Sequence, residues 1–331
     1  MSEPVCVGLI DCGYLGPNLA RNLHQIPQAK LVACCDLDSQ ALSKMQMLYP
    51  QVITRPDYRD LLADPDIEAV VIATPARSHY TLTCAALEAG KHVLVEKPLT
   101  MSSPEAEALI ELAEERKRVL MVGHVFEYHP AVHKIKSLID EGELGQIYYI
   151  YSTRVNLGRG QSDINALWSI APHDISILIH LLGAMPESVC ARGGTFLNGV
   201  VEDVVFLVLR FPANVLGHVH ASWLDPSKVR LMTVVGSRRM LIYDDAADEG
   251  KIKIYDKGVY RKGEDIYGEF QYRVHSGDIS IPKLDMTEPL RVECTHFAEC
   301  VRQGKRPQTD GLNGLRVVRG LEAAQGSLGR G

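Results

Sequence analysis

Gly13 and Gly16, in the run VGLIDCGYLG (7–16), and Asp36 further on have the types and spacing of a dinucleotide site. In a strand–turn–helix unit such glycines let the backbone approach a pyrophosphate and let the helix pack on the strand. The free N–H groups of the opening helical turn then face the phosphates. An acidic residue ending the second strand accepts the ribose 2′-hydroxyl and repels a 2′-phosphate, so Asp36 predicts NAD over NADP, and Asp38 adds negative charge. The usual G-x-G-x-x-G has a glycine where this chain has Asp11. A carboxylate about 5 Å from a phosphate costs about 1 kcal/mol in water-like surroundings and about 3 kcal/mol at an effective dielectric of 20. Asp11 escapes that cost if it turns outward, accepts a ribose hydroxyl or pairs with a base. The sequence leaves these placements open.

The elements that must hold this turn are legible from hydropathy. VCVGLI, KLVACCD, EAVVIAT, KHVLVEK and VLMVGH are short apolar runs, separated by the helical stretches YLGPNLARNLHQI, DSQALSKMQML, HYTLTCAALEAG and SPEAEALIELAEERKR. Continuous Val/Ile/Leu strands alternating with helices predict a doubly wound parallel sheet covered on both faces. The texture changes after residue 123. HPAVHKIKSLIDEGELG and APHDISILIHLLG read as helices, while QIYYIYSTRVNLG, VVFLVLRFP, LGHVHASWL, VRLMTVVGS, RMLIYDD and KIKIYDKGV read as strands of a mainly antiparallel sheet. Two further helices, VECTHFAECVRQG and LNGLRVVRGLEAAQGSL, close the chain. The expected class is α/β with a second α+β domain: residues 1–123 for the cofactor and 124–331 for substrate and oligomerisation, the last helices being free to pack back on the first domain.

Composition limits the function. The 331 residues are 46% hydrophobic and 23% charged, enough for ordinary cores. A net charge of −6 argues against a nucleic-acid partner. No apolar run approaches the roughly 20 residues of a membrane span. MSEP leads straight into a strand-like run with no secretory pattern, so a cytoplasmic protein is expected. None of the eight cysteines forms a C-x-x-C pair, and most lie in apolar runs as small buried hydrophobes. His124, Glu127, Tyr128 and His129 cluster, but no metal is expected.

AGKHVLVEKPLT (89–100) resembles the signature of the Gfo/Idh/MocA oxidoreductases, the glucose–fructose oxidoreductase and inositol dehydrogenase family. ATPARSHY (73–80), GHVFEYHPAVHKIKSLIDEGELGQI, LWSIAPHDISILIHLLG and GKRPQTDGLNGLRVVRGLEAA are similar to other family segments, so the resemblance covers essentially the whole chain. It implies a Rossmann domain followed by an open-faced antiparallel sheet, buried in a homodimer or homotetramer. It also implies hydride transfer between a sugar or cyclitol carbon and a nicotinamide. By the resemblance, Asp11, Cys12, Gly13, Tyr14, Leu15, Gly16, Asp36, Thr74, Pro75, His79, Glu96 and Lys97 hold the cofactor. Lys97 of E-K-P meets the reacting hydroxyl, His173 is the general base, and Ser169 takes the place of the family's substrate-holding Asp. A neutral His accepts a hydroxyl proton near pH 7, and an ammonium stabilises alkoxide charge. Glu96 is placed to orient Lys97 or contact the nicotinamide ribose, and Pro98 to follow a cis bond.

Ser169 is the second departure, because it brings no negative charge to His173, which stands four residues on and one helical turn away. RVNLGRGQSDINALW (154–168) and SWLDPSKVR (222–230) resemble the UDP-N-acetylglucosamine and UDP-N-acetylglucosaminuronate 3-dehydrogenases. On that resemblance Arg154, Arg159, Lys228 and Arg230 meet a diphosphate or carboxylate, and Asn156, Asp163 and Asn165 read sugar hydroxyls. The expected activity is therefore NAD-dependent oxidation of a sugar alcohol, foremost C3 of a UDP-amino-sugar. The competing expectations are a free-sugar or cyclitol dehydrogenase, and a weak or inactive homologue serving as a binding subunit.

Overall fold

A computed structural model describes residues 3–158, 164–197, 199–261 and 272–329. Two compact units divide the chain, Met1–Tyr128 with Thr287–Arg319, and His129–Met286 with Gly320–Gly331. Where the sequence reading put one boundary at 123/124, the units part after Tyr128 and residues 287–319 return to the first.

The first unit carries a six-stranded parallel sheet: β1 (Val5–Ile10), β2 (Ala29–Cys35), β3 (Ile53–Arg55), β4 (Ala69–Ile72), β5 (His92–Glu96) and β6 (Leu120–Gly123), in the order β3-β2-β1-β4-β5-β6. Its connecting helices are α1 (Gly16–Gln25), α2 (Ser39–Leu48), α3 (Tyr58–Ala63), α4 (His79–Glu88) and α5 (Ser103–Arg116). This is the expected doubly wound fold, and strand order reverses between β1 and β4, the usual place for a dinucleotide. The central strands are buried on both faces; β4 is buried at all four positions, which is why its sequence is an unbroken apolar run.

The second unit contains α6 (Pro130–Asp140), β7 (Ile147–Val155), α7 (Ala166–Ser169) and α8 (Ala171–Leu182). Strands β8 (Ser188–Gly194), β9 (Val204–Phe211), β10 (Val215–Ser222), β11 (Val229–Gly236), β12 (Met240–Asp244), β13 (Ile252–Arg261) and β14 (Tyr272–Ser280) follow. The eight strands form one sheet, β14-β13-β12-β11-β7-β10-β9-β8, antiparallel except where β7 runs parallel to β10. Helix α8 packs on β7 and β10. The opposite positions of β7, β9 and β10 stay open, with Tyr149, Tyr151, Phe206, Val208 and Leu216 each more than a third exposed.

Two helices remain. In the first unit α9 (Pro289–Gln303) packs against α1. Helix α10 (Gly311–Leu328) begins in the first unit and ends in the second.

Candidate functional site

The turn after β1 is built by two carboxylates. Asp11 has φ of 81°, a left-handed conformation suited to glycine. Its Oδ1 accepts the N–H of Gly13 at 2.7 Å, an Asx-type contact that lets an aspartate hold this geometry. Burial, reinforced by the charge of Asp36, raises the Asp11 pKa although the Gly13 N–H opposes the shift. At the end of β2, Asp36 accepts the N–H of Cys12 through Oδ2 at 2.7 Å and that of Asp38 through Oδ1 at 2.8 Å. Asp38 caps α2 by accepting the Gln40 N–H. Gly16 must be glycine, since a Cβ there would lie 2.3 Å from the Asp11 carbonyl oxygen. Cys12 is buried, and the side chain of Tyr14 is wholly exposed.

These residues fit a dinucleotide. Gly13 and Gly16 present bare backbone at the N-terminal end of α1, where the helix dipole favours an anion, and Asp36 stands at the strand end where a ribose is held. Asp11 is the one poor fit, because its carboxylate already occupies the Gly13 N–H.

At the ends of β4 and β5, buried His79 joins two loops. Its Nδ1 lies 2.7 Å from the Pro98 carbonyl and its Nε2 lies 2.8 Å from the Thr74 carbonyl. Burial lowers its pKa, while the two carbonyls pull the other way. His79 thus braces Thr74 and the cis Lys97–Pro98 peptide. The Glu96 carboxylate lies over Gly123, where an added Cβ would stand 2.9 Å from Oε1, and accepts the Lys97 N–H at 3.2 Å. Burial pushes Glu96 up to about 7 against the pull of the Lys97 ammonium.

Sequence reasoning singles out His124 and Glu127 as part of a cluster but misses Glu293, which joins Glu127 and Glu96 here. Glu293 of α9 is wholly buried, and neither of its carboxyl oxygens has a hydrogen-bond partner among the described residues. Burial, with Glu96 and Glu127 nearby, holds its pKa well above the carboxylate range. The Glu127 carboxylate accepts two hydrogen bonds from Asn313. His124 is equally buried and pushed down to about 4, chiefly by burial. No local motif marks Glu293, which reaches this cluster only because α9 returns to the first unit.

In the second unit Ser169 ends α7, while His173 lies in the first turn of α8. Both are half-exposed. Ile170 ends one helix and caps the next, so the one-turn relation expected between Ser169 and His173 spans a helix junction. Arg154 is bound to buried Asp174 at 2.7 Å, and Arg230 to Asp245 at 3.2 Å. Burial works to lower the Arg154 pKa, but the charge and hydrogen bonds of Asp174 carry it above the ordinary value. Asn165 is buried and caps α7 through the Trp168 N–H; its amide nitrogen donates to Glu202 and Gln325. These bonds tie Asn165 to α7, Glu202 and Gln325. Asn156 and Lys228 are exposed, whereas Arg159 and Asp163 lie outside the described residues. Trp223 is core, and its Nε1 donates to Asp203 at 2.8 Å.

A six-stranded parallel sheet with a glycine turn after its first strand and an acidic residue after its second defines a dinucleotide-binding domain. Residues 5–124 match the family model described as "Oxidoreductase family, NAD-binding Rossmann fold", and residues 132–242 match the "GFO/IDH/MocA C-terminal domain". The chain belongs to the Gfo/Idh/MocA oxidoreductase family, and its first unit carries the family's NAD-binding domain. It is 32% identical over 320 residues to scyllo-inositol 2-dehydrogenase (NAD(+)) of Bacillus subtilis, covering 93% of this chain and 89% of that one. It is 35% identical over 187 residues to UDP-N-acetylglucosamine 3-dehydrogenase of Acidithiobacillus ferrooxidans, covering 56% and 57% of the two chains. Its fold superposes on levoglucosan dehydrogenase in complex with NADH with a TM-score of 0.82 at 21% identity, covering 99% and 97% of the two chains. No helix among the described residues is long and apolar enough to cross a membrane.

Proposed function

We propose that the chain is an NAD-dependent dehydrogenase that oxidises a secondary ring alcohol of a sugar or cyclitol. The observation that carries this is the Glu96–Lys97–Pro98 segment, held by His79 at the strand ends of an NAD-binding domain. NAD, when bound, takes the hydride. The Lys97 ammonium steadies negative charge growing on the hydroxyl oxygen. His173 accepts the hydroxyl proton, and Ser169 offers one hydrogen bond where a carboxylate would offer charge. Thr74, Pro75 and Leu15 line the cofactor side. The free cysteines suit a reducing compartment such as the cytoplasm.

Oxidation at C3 of a UDP-amino-sugar is supported by residues 154–168 and 222–230 and by exposed Lys228. One observation favours a second reading, an uncharged cyclitol or free sugar: Arg154 and Arg230, two of the four cations expected to meet a diphosphate, are engaged by Asp174 and Asp245. A relative whose match spans 93% of this chain is named for a cyclitol. NADH absorbance with UDP-N-acetylglucosamine, free glucose and scyllo- and myo-inositol separates the two readings. Faster turnover with UDP-sugar supports the first, and faster turnover with inositol or glucose the second. No NADH from any of them would overturn the dehydrogenase.

The open sheet face suits a second copy of the chain. Tyr149 and Tyr151 stack at 6.3 Å, and Phe206 stacks on His220 at 4.4 Å, forming an apolar surface between polar edges. Sedimentation is expected to show a dimer or tetramer, and a monomer at micromolar concentration would refute it.

A further inference from the structure

A buried charge ties strand β7 to helix α8. Asp174, wholly buried in the first turn of α8, accepts the Ser152 hydroxyl at 2.5 Å through Oδ1. It also accepts Arg154 Nε at 2.7 Å through Oδ2 and Nη2 at 3.3 Å through Oδ1. Ser152 and Arg154 are alternate residues of β7 and so project from the same face of the sheet. Beyond them Asp245 accepts Arg230 and Tyr243, and it lies 3.6 Å from His129.

An exposed ion pair here would contribute little. A buried one fixes geometry, because either partner alone is an uncompensated buried charge. The adjacent residue in the same turn is His173. Pro172 before it has a fixed φ and no N–H, so the helix start has little freedom of its own. What remains to be set is where the first turn sits on the sheet, and Asp174 makes that contact.

We propose that Asp174, gripped by Ser152 and Arg154, is a positioning residue that sets the placement of His173, and that Arg154 serves this grip rather than a substrate anion. This rests on the reading of His173 as the proton acceptor. The grip is made by residues of the second unit alone, so its loss is expected to act on the chemical step and to leave NAD affinity alone.

Three variants test it, Ser152→Ala, Asp174→Asn and the double Arg154→Met/Asp174→Leu. Ser152→Ala removes one hydrogen bond with no change of charge. It is expected to lower kcat severalfold, to keep KM for NAD within about twofold, and to shift the ring resonances of His173 in histidine-labelled protein without substrate. Asp174→Asn is expected to lose at least about tenfold in kcat, a step of about 1.4 kcal/mol. The double variant replaces the buried pair with apolar side chains and is expected to regain thermal midpoint while kcat stays low. A double variant that recovers kcat along with its midpoint would make the pair merely structural and overturn the proposal. So would wild-type kcat and unmoved His173 resonances in Ser152→Ala, which disturbs the fold least. If wild-type protein shows no NADH formation, the dehydrogenase reading fails instead, and the His173 resonances still decide whether the grip places the ring.

Discussion

Lys97→Met is expected to turn over about a hundred- to a thousand-fold more slowly than wild type, the usual loss when one stabiliser of developing oxyanion charge is removed. Methionine keeps most of the length and deletes only the ammonium. NAD affinity, measured by calorimetry, is expected to fall far less than turnover, because Lys97 is one of many residues at the cofactor and the glycine turn and Asp36 lie on other loops. The same variant has a signature in stability. Burial raises Glu96 to about 7, and the Lys97 ammonium is what holds it from rising further. A carboxyl whose folded pKa lies above its unfolded value stabilises fully below the unfolded pKa, and loses that contribution as pH climbs through the folded one. Without Lys97 the folded pKa climbs higher, so the penalty grows over a wider range. The thermal midpoint of Lys97→Met, relative to wild type, should therefore hold level below about pH 6 and fall progressively as pH rises above about 7, where Glu96 ionises in the wild type but not yet in the variant. Turnover within tenfold of wild type would remove Lys97 from the chemistry. A midpoint difference that is flat with pH would mean that Glu96 does not sense the ammonium.

The parts legible in the sequence were those with a local cause. Strands β1, β4 and β6 are buried almost throughout and therefore write unbroken apolar runs, and β2 and β5 do so over part of their length. Strand β3 is three residues long at the sheet edge and ends before Pro56, too short to show a period. Strand β8, SVCARGG, lacks the apolar alternation of its neighbours, and it too lies at an edge. The cofactor turn was legible because glycine spacing and one acidic residue are local signals. The roles of Arg154, Asn165 and Glu293 were not, because each depends on a partner distant in sequence. An arginine at a strand end reads alike whether it awaits a phosphate or grips Asp174. Glu293 looks like an ordinary helix-surface glutamate until α9 is placed in the first unit. Asp11 reads as a charge in the wrong place, and its sequence gives no hint that the Gly13 N–H takes it.

That contact makes Asp11→Gly the other large effect. The carboxylate holds the Gly13 N–H at 2.7 Å, so if it faces the phosphates, a pyrophosphate bound there would meet its charge and compete for that N–H. A repulsion of about 1 to 3 kcal/mol, depending on local dielectric, corresponds to a gain of about five- to a few-hundred-fold in NAD affinity when the carboxylate is removed. The fold should tolerate the change. A non-glycine residue at φ of 81° carries strain of about 1 kcal/mol or more. Glycine relieves it, while greater freedom in the unfolded chain takes back a similar amount. Asp11→Asn separates charge from geometry, because asparagine tolerates left-handed φ and its carbonyl can still accept the Gly13 N–H. It should recover the electrostatic part of the gain and leave the competition for that N–H. Proton linkage gives a further check. Burial raises the Asp11 pKa, and the protonated form neither repels phosphate nor holds Gly13 as strongly. Wild-type affinity for NAD should therefore tighten as pH falls through the raised pKa, and that slope should vanish in Asp11→Gly and Asp11→Asn. Calorimetric titrations of the three proteins across this range decide it. Equal Kd values with equal pH slopes would mean that the carboxylate turns away when NAD binds. Weaker binding in Asp11→Gly would mean that it holds a ribose hydroxyl, making Asp11 a ligand of the cofactor instead of its competitor.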